Sequence, residues 1–359
     1  VNKDLLIISP GSPRGFLHGF DFVWIELFTQ QHRHNGQGGV TERKGVEMHS
    51  QFWRFRTIAF GITLTVGLTA CNSSSSLPSG AQSPSPGLIA TAPPSTKTMD
   101  YKVYSLARSV VYTVSIPPQS PFLLTPAVSG TVELIAGLAQ RYGAIAAING
   151  GYFDPENQKS ISPVTLQGTA IAKPEDNQRL MTNLDLLPYL DKILNRSEFR
   201  RYQCGKITQY DIARRQDLPR PGCQLQDSLG AGPQLLPTAT LVEEGFLTIQ
   251  NNKITRDPLG INQPNARSAI GITRDNTVVW VMVAQKPNIP TGSGMTLQEL
   301  ADFIKTLGVE KAMNLDGGSS ASLYYQGKTV HGKLDETGKP IQRSIKSALL
   351  VQPIKKPGN

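Results

Sequence analysis

The sequence predicts an α+β domain, a mixed sheet core with a few helices. Short alternating or β-branched runs outnumber segments of helical period, and only two stretches carry a sustained helical face. A third observation is an internal echo, in which a helix, a short apolar strand, an asparagine and a glycine pair occur twice.

The elements follow in order from Asp100. Tyr101–Leu106 and Val110–Ile116 alternate or run β-branched and read as two opening strands. Residues 131–142 read as a helix with Val132, Ile135, Ala136 and Ala139 on one face, followed by an apolar strand over Ala144–Asn149. Ser268–Thr273 and Thr277–Ala284 read as a hairpin around Asp275-Asn276. Thr296 with Glu299 three residues on forms a capping box, opening a helix that carries Leu297, Leu300, Phe303, Ile304 and Leu307 on one side. Lys311–Leu315 and Ser347–Val351 complete the strands.

The echo sits inside this order. After the first helix come Tyr142-Gly143, then a strand ending in Asn149, then Gly150-Gly151. The second helix is followed by Leu307-Gly308, a strand ending in Asn314, then Leu315-Asp316-Gly317-Gly318. Two related helix–strand–glycine-turn units are expected, delivering their turns to one cleft. The alternative is chance similarity of two short stretches.

Upstream of Asp100 the chain reads as an address. Ile58–Ala70 is an apolar run of 13 residues, too short to span a bilayer as a helix but suited to a signal-peptide core, with Arg54 and Arg56 just before it. It ends Leu68-Thr69-Ala70-Cys71, which resembles the lipobox of bacterial lipoproteins, so Cys71 is the expected lipidation site. Met48 then becomes the expected start, residues 48–71 the signal peptide, and residues 1–47 a misassigned upstream segment. Residues 72–99 form a Ser/Pro-rich linker in which Lys97 is the single charge, a composition that cannot bury enough apolar surface to fold. The domain itself is expected over 100–359, held at a membrane surface of the bacterial cell envelope through the lipid.

Composition narrows the chemistry. The net charge of +9 is spread without any Lys/Arg block, so nucleic acid is not an expected partner. Four of the five histidines precede residue 50, leaving His331 alone in the expected domain. That count disfavours a multi-histidine metal site, and neither metal nor other cofactor is predicted. Cys204 and Cys223, 19 residues apart, are the expected disulfide of an exported domain.

The candidate site residues lie where strands run into glycine turns. In Asn149-Gly150-Gly151-Tyr152-Phe153-Asp154 the glycines permit close backbone approach to a ligand, Asn149 can donate and accept, and Asp154 supplies a carboxylate. In Asn314-Leu315-Asp316-Gly317-Gly318-Ser319-Ser320 a carboxylate at a strand end is followed by flexible backbone and two hydroxyls able to cradle phosphate or sugar. Each stretch also has a purely structural reading, as an aromatic-plugged turn and as an Asx-turn. Arg267, opening Arg267-Ser268-Ala269-Ile270-Gly271, is placed to grip a phosphate, or else to form a surface salt bridge. Gly230-Ala231-Gly232-Pro233 reads as an architectural turn.

Taken together, Asn-Gly-Gly-Tyr-Phe, Gly-Pro-x-Leu, Arg-Ser-Ala-Ile-Gly, Thr-Leu-x-Glu-Leu and Asn-Leu-Asp-Gly-Gly, in that order over roughly residues 100–353, resemble the phosphodiester glycosidase family. This is the family of the mannose-6-phosphate uncovering enzyme. The resemblance implies a hydrolase that cleaves a sugar from phosphate at the anomeric oxygen, with Asn149, Gly150, Arg267, Asn314, Asp316 and Gly317 matching the shared motifs. The chain departs from the family pattern at Ser319, where many members carry a third glycine, and at residues 175–228, which read as an insertion. Asp316 is the expected base or nucleophile and Asp154 the second carboxylate. The substrate-binding set is Asn149, Gly150, Gly151, Arg267, Asn314, Gly317, Gly318, Ser319 and Ser320. The competing expectation is an envelope polysaccharide-binding lipoprotein without activity. A metal-dependent phosphodiesterase is disfavoured by the histidine count.

Overall fold

The structure is a computed structural model that describes residues 98–354. The signal peptide, Cys71, the upstream segment and nearly all of the linker therefore lie outside the described residues. Among the described residues strand accounts for 44% and helix for 14%, the sheet-dominated core with few helices that the sequence predicts. Every ladder between named strands is antiparallel, a more uniform pairing than a mixed core requires.

Three sheets and a hairpin hold all the strands. The first sheet contains β1 (Asp100–Ser105), β2 (Val110–Ile116), β10 (Gln234–Leu236), β13 (Arg267–Thr273), β14 (Val278–Ala284) and β15 (Val309–Asn314), in the order β1-β2-β14-β13-β15-β10. The second contains β3 (Phe122–Glu133), β4 (Ala146–Asn149), β16 (Ser322–Tyr325), β17 (Lys328–His331) and β18 (Ile345–Pro353), in the order β17-β16-β4-β18-β3. The third contains β5 (Val164–Leu166), β6 (Thr169–Ala172), β7 (Ser197–Cys204), β8 (Ile207–Arg214) and β9 (Gln224–Gly230), in the order β6-β5-β9-β7-β8. The separate hairpin is β11 (Thr248–Gln250) with β12 (Lys253–Arg256).

Among the described residues the α-helices are α1 (Ile135–Arg141), α2 (Gln178–Thr182), α3 (Leu190–Leu194) and α4 (Leu297–Thr306). The capping box of α4 is formed as expected: Thr296 Oγ1 accepts from the Glu299 N–H at 3.1 Å, and Glu299 Oε2 accepts from the Thr296 N–H at 2.8 Å. Its buried face is Leu297, Leu300, Ala301 and Ile304. Helix α1 is shorter than expected, because residues 131–133 belong to the end of β3, where they pair with β18 rather than start a helical turn. None of these helices is long and apolar enough to cross a membrane.

One large apolar cluster joins the first two sheets. It takes Val114, Ile270, Trp280 and Met313 from the first and Ile148, Leu323 and Leu349 from the second. Strand β14 is buried along its whole length, which explains its unbroken apolar sequence. This shared core fixes the ends of β4 and β15 next to one another, although they belong to different sheets.

The region that reads as an insertion builds much of the third sheet. A disulfide joins Cys204, the last residue of β7, to Cys223, just before β9. Replacing both cysteines by serine is expected to lower stability by about 3 kcal/mol on the loop-entropy relation. Urea denaturation of the double variant against the wild type measures it.

Candidate active site

The two turns identified in the sequence meet, and their asparagines hold each other's turn. Asn149 Nδ2 donates to the Asp316 carbonyl at 2.6 Å, and the Asp316 N–H donates to the Gly150 carbonyl at 3.0 Å. In the reverse direction Asn314 Nδ2 donates to Tyr152 Oη at 2.8 Å and to the Leu315 carbonyl at 2.6 Å. The Tyr152 hydroxyl in turn donates to the Gly232 carbonyl at 2.8 Å. Asn149 Oδ1 accepts from the Ser268 hydroxyl at 2.7 Å and from the Ser322 N–H at 3.1 Å. Both asparagines are almost fully buried and work as cross-links. Asn149 is thus occupied by the protein, a correction to its expected role as a ligand contact. Asn314 keeps one orphan, since its Oδ1 is buried without a partner.

The first glycine pair also has a structural cause. A Cβ on Gly150 would lie 2.4 Å from Ser347 Oγ, and one on Gly151 would lie 2.1 Å from the Gly230 carbonyl. The Gly150 N–H donates to the Ser347 carbonyl at 2.8 Å and the Gly151 N–H to Ser347 Oγ at 3.2 Å. Neither N–H is therefore offered to a ligand, which corrects the expectation for Gly150 and Gly151. Gly151→Ala is expected to lower stability by roughly 3 kcal/mol or more, because the clash is with backbone that cannot rotate away. A thermal melt tests this.

Asp316, Gly317 and Gly318 are the half-buried, partly solvent-exposed part of the clasp. Gly318 has φ +57°, in the left-handed region that favours glycine. The Gly317 N–H donates to no protein group among the described residues. Ser319 and Ser320 are buried beneath the turn, and the Ser320 N–H donates to the Gly317 carbonyl at 3.1 Å.

Two expected residues have other work. Arg267 is 3% exposed. Its Nε donates to Met295 O at 3.0 Å, Nη1 to Leu259 O at 2.9 Å, and Nη2 to Gly260 O at 2.8 Å and Gln263 O at 2.9 Å. Burial lowers its pKa to about 10, so it is still a cation at neutral pH. The guanidinium ties the 259–263 loop to the start of β13, and the expected phosphate grip is corrected accordingly. It does lie under the second turn: a Cβ on Gly317 would be 3.8 Å from Arg267 Cδ. Asp154 is likewise buried, accepting from the Glu156 N–H at 2.9 Å and from Arg179 Nε at 3.0 Å. It braces the 154–160 loop and is not an open second carboxylate.

Sequence reasoning missed two cations beside the turns. Lys333 is half-buried and donates from Nζ to Asn265 Oδ1 at 3.1 Å, while Asn265 Nδ2 lies 3.8 Å from where a Gly318 Cβ would be. Arg343 stacks 5.6 Å over the Phe153 ring. Tyr152 is buried between the turns, and burial, reinforced by the charge of Asp316, pushes its hydroxyl pKa well above the ordinary value. Neither Lys333 nor Arg343 sits in a motif. Gly332 was the nearest signal, a position where a Cβ would press on Ala266 and Ala321 at 3.0 Å.

A half-buried carboxylate beside an unpaired backbone donor, with a lysine bonded to Asn265 near the same turn, suits acid–base or nucleophilic work on an anionic substrate. A family model for phosphodiester glycosidases matches residues 142–352, a span that holds both turns, Arg267 and all of β13 to β17. The chain belongs to the phosphodiester glycosidase family. No curated protein matches the chain. Solved structures of similar fold are found at low identity. The catalytic domain of zebrafish N-acetylglucosamine-1-phosphodiester alpha-N-acetylglucosaminidase, auto-inhibited by its pro-peptide, is 15% identical with TM-score 0.52, over 73% of this chain and 84% of that one. An exported protein of Burkholderia pseudomallei is 15% identical with TM-score 0.50, over 68% of this chain and 74% of that one. A hypothetical protein from Synechocystis is 18% identical with TM-score 0.46; the match covers 70% of this chain and 61% of that one. At these identities the likeness is one of fold.

Proposed function

We propose that the protein hydrolyses the glycosidic bond of a sugar 1-phosphodiester, releasing free sugar and a phosphomonoester. Asp316 is the carboxylate that acts at the anomeric carbon. The observation that carries this reading is the mutual clasp of the two turns, which fixes the backbone on both sides of Asp316 while the residue stays partly exposed. In the reaction the C1–O bond breaks and its electron pair leaves with the phosphomonoester. A water oxygen joins C1, and the proton it loses is taken up by a base. Phosphate is a good leaving group, so the main demand is support of positive charge at C1. Asp316 meets it either by attacking C1 or by activating the water, and the anomer released distinguishes the two. The Gly317 N–H and Lys333 are the donors assigned to the substrate's oxygens in this reading.

The setting belongs to the same proposal. Residues 48–71 act as signal peptide, Cys71 carries lipid, residues 72–99 are the tether, and the substrate is an envelope glycan or glycoconjugate. The two helix–strand–glycine-turn units are read as related copies. Their support is a left-handed glycine after each helix, Gly143 at φ +61° and Gly308 at φ +76°, and an asparagine ending each strand.

The test is a sugar 1-phosphodiester incubated with the purified protein in ¹⁸O water. Label in the sugar is the expected result. Label in the phosphate would make it a phosphodiesterase, and no turnover on a panel of sugars would leave the polysaccharide-binding reading.

A further inference from the structure

Arg196, which faces Tyr152 of the clasp, and its neighbour Arg256 form no salt bridge among the described residues. Arg196, immediately before β7, is 6% exposed. Its Nε donates to the Glu244 carbonyl at 3.1 Å, and its Cζ stands 3.7 Å from the Phe246 ring centre and 5.6 Å from that of Tyr152. Arg256, at the end of β12, donates from Nε to the next carbonyl along, Gly245 O, at 2.9 Å, with its Cζ 4.6 Å over Tyr189. The two guanidinium groups therefore hang from adjacent carbonyls, each lying on an aromatic ring.

The neighbouring carboxylate cannot turn to them. Glu244 accepts from Ser197 N at 2.8 Å, Ser197 Oγ at 2.6 Å, Gln234 N at 2.9 Å and the Thr240 hydroxyl. The terminal nitrogens of Arg196 and Arg256 donate to no protein group, and none of them is an orphan sealed from solvent. Burial lowers the pKa of both, that of Arg196 to about 10; Tyr152 and the nearby Glu244 carboxylate partly offset the effect on Arg196, and the charge of Arg256 adds to it. Two desolvated cations with unused planar donors are costly alone and fit an anion with several oxygens.

We propose that Arg196 and Arg256 form an oxyanion subsite that takes the phosphate group of the substrate, the role that Arg267 cannot fill. Tyr152 connects this pair to the clasp, with its ring facing Arg196 and its hydroxyl bonded to Asn314. Assignment of the anion to the substrate rests on the phosphodiester reading, whereas affinity for inorganic phosphate does not.

The test titrates inorganic phosphate into the full chain by calorimetry, for wild type, Arg256→Gln and Arg196→Lys, with circular dichroism to verify folding. Each variant is expected to weaken phosphate binding by about 10-fold or more, since a charge-assisted bond is lost or its fork geometry is. Arg256 is the less buried of the two and decides the matter if Arg196→Lys does not fold. On a sugar 1-phosphodiester, Arg256→Gln is expected to raise KM by a similar factor with kcat changed far less. Wild type that binds no phosphate, or variants that bind it as well as wild type, would overturn the subsite while leaving hydrolysis untouched. Phosphate binding lost with KM unchanged would overturn its assignment to the substrate. Absence of turnover alongside phosphate binding that needs both arginines would overturn the hydrolase reading and retain the pair as a phosphate site.

Discussion

Asp316→Asn is expected to lower kcat on a sugar 1-phosphodiester by about 10³-fold or more while the protein remains folded. Asparagine keeps the size and the backbone bonds of this position, from Asp316 N to Gly150 O and from Asn149 to Asp316 O. What it loses is the negative charge needed at C1 and the basicity needed to accept a proton. Initial rates together with circular dichroism distinguish loss of chemistry from loss of fold. Turnover within tenfold of wild type would remove Asp316 from the reaction. Asp154→Asn makes the comparison: its carboxylate serves a loop and the Arg179 pair, so the expected effect is on stability first.

Arg267→Met is expected to be the most destabilising single change described for this chain. It leaves the carbonyls of Leu259, Gly260, Gln263 and Met295 without their charged donor in a buried position. Unmade buried hydrogen bonds cost about 1–3 kcal/mol each. Even with some of the four rehydrated, a loss of about 4 kcal/mol or more is expected, a large share of the roughly 5–15 kcal/mol that holds a domain folded. Arg267→Lys restores the charge but not the five-donor fork, so it rescues only a fraction. Urea denaturation gives the result. A lysine variant of normal stability with an elevated KM would instead return Arg267 to the phosphate-gripping role.

Much of the fold was legible because local and long-range preferences agreed. Strand β2 has the expected bounds, the hairpin of β13 and β14 turns through Asn276 at φ +67°, and α4 starts at its capping box. Strand β3 was not legible. Pro126 and Gly130 interrupt its pattern, and Val132 falls at helical spacing from Ile135. The third sheet was hidden for a different reason. Strand β7 buries charge alongside Phe199 and Tyr202, pairing Arg200 with Glu198 at 3.1 Å and Arg201 with Asp227 at 2.6 Å, so its apolar period is masked. At the site, glycine turns announced where the chain ends would meet. They did not announce which polar side chains the protein itself would occupy. Asn149 and Arg267 look like ligand contacts until their partners are found 167 and 28 residues away.

The mutual hold of Asn149 and Asn314 makes activity a reporter of tertiary assembly. Each asparagine belongs to a different sheet, so a chain in which only one sheet has formed has no competent centre, however native its secondary structure. Catalysis and near-ultraviolet ellipticity should therefore fade together along a urea gradient, and a trapped partially folded species should be silent in both.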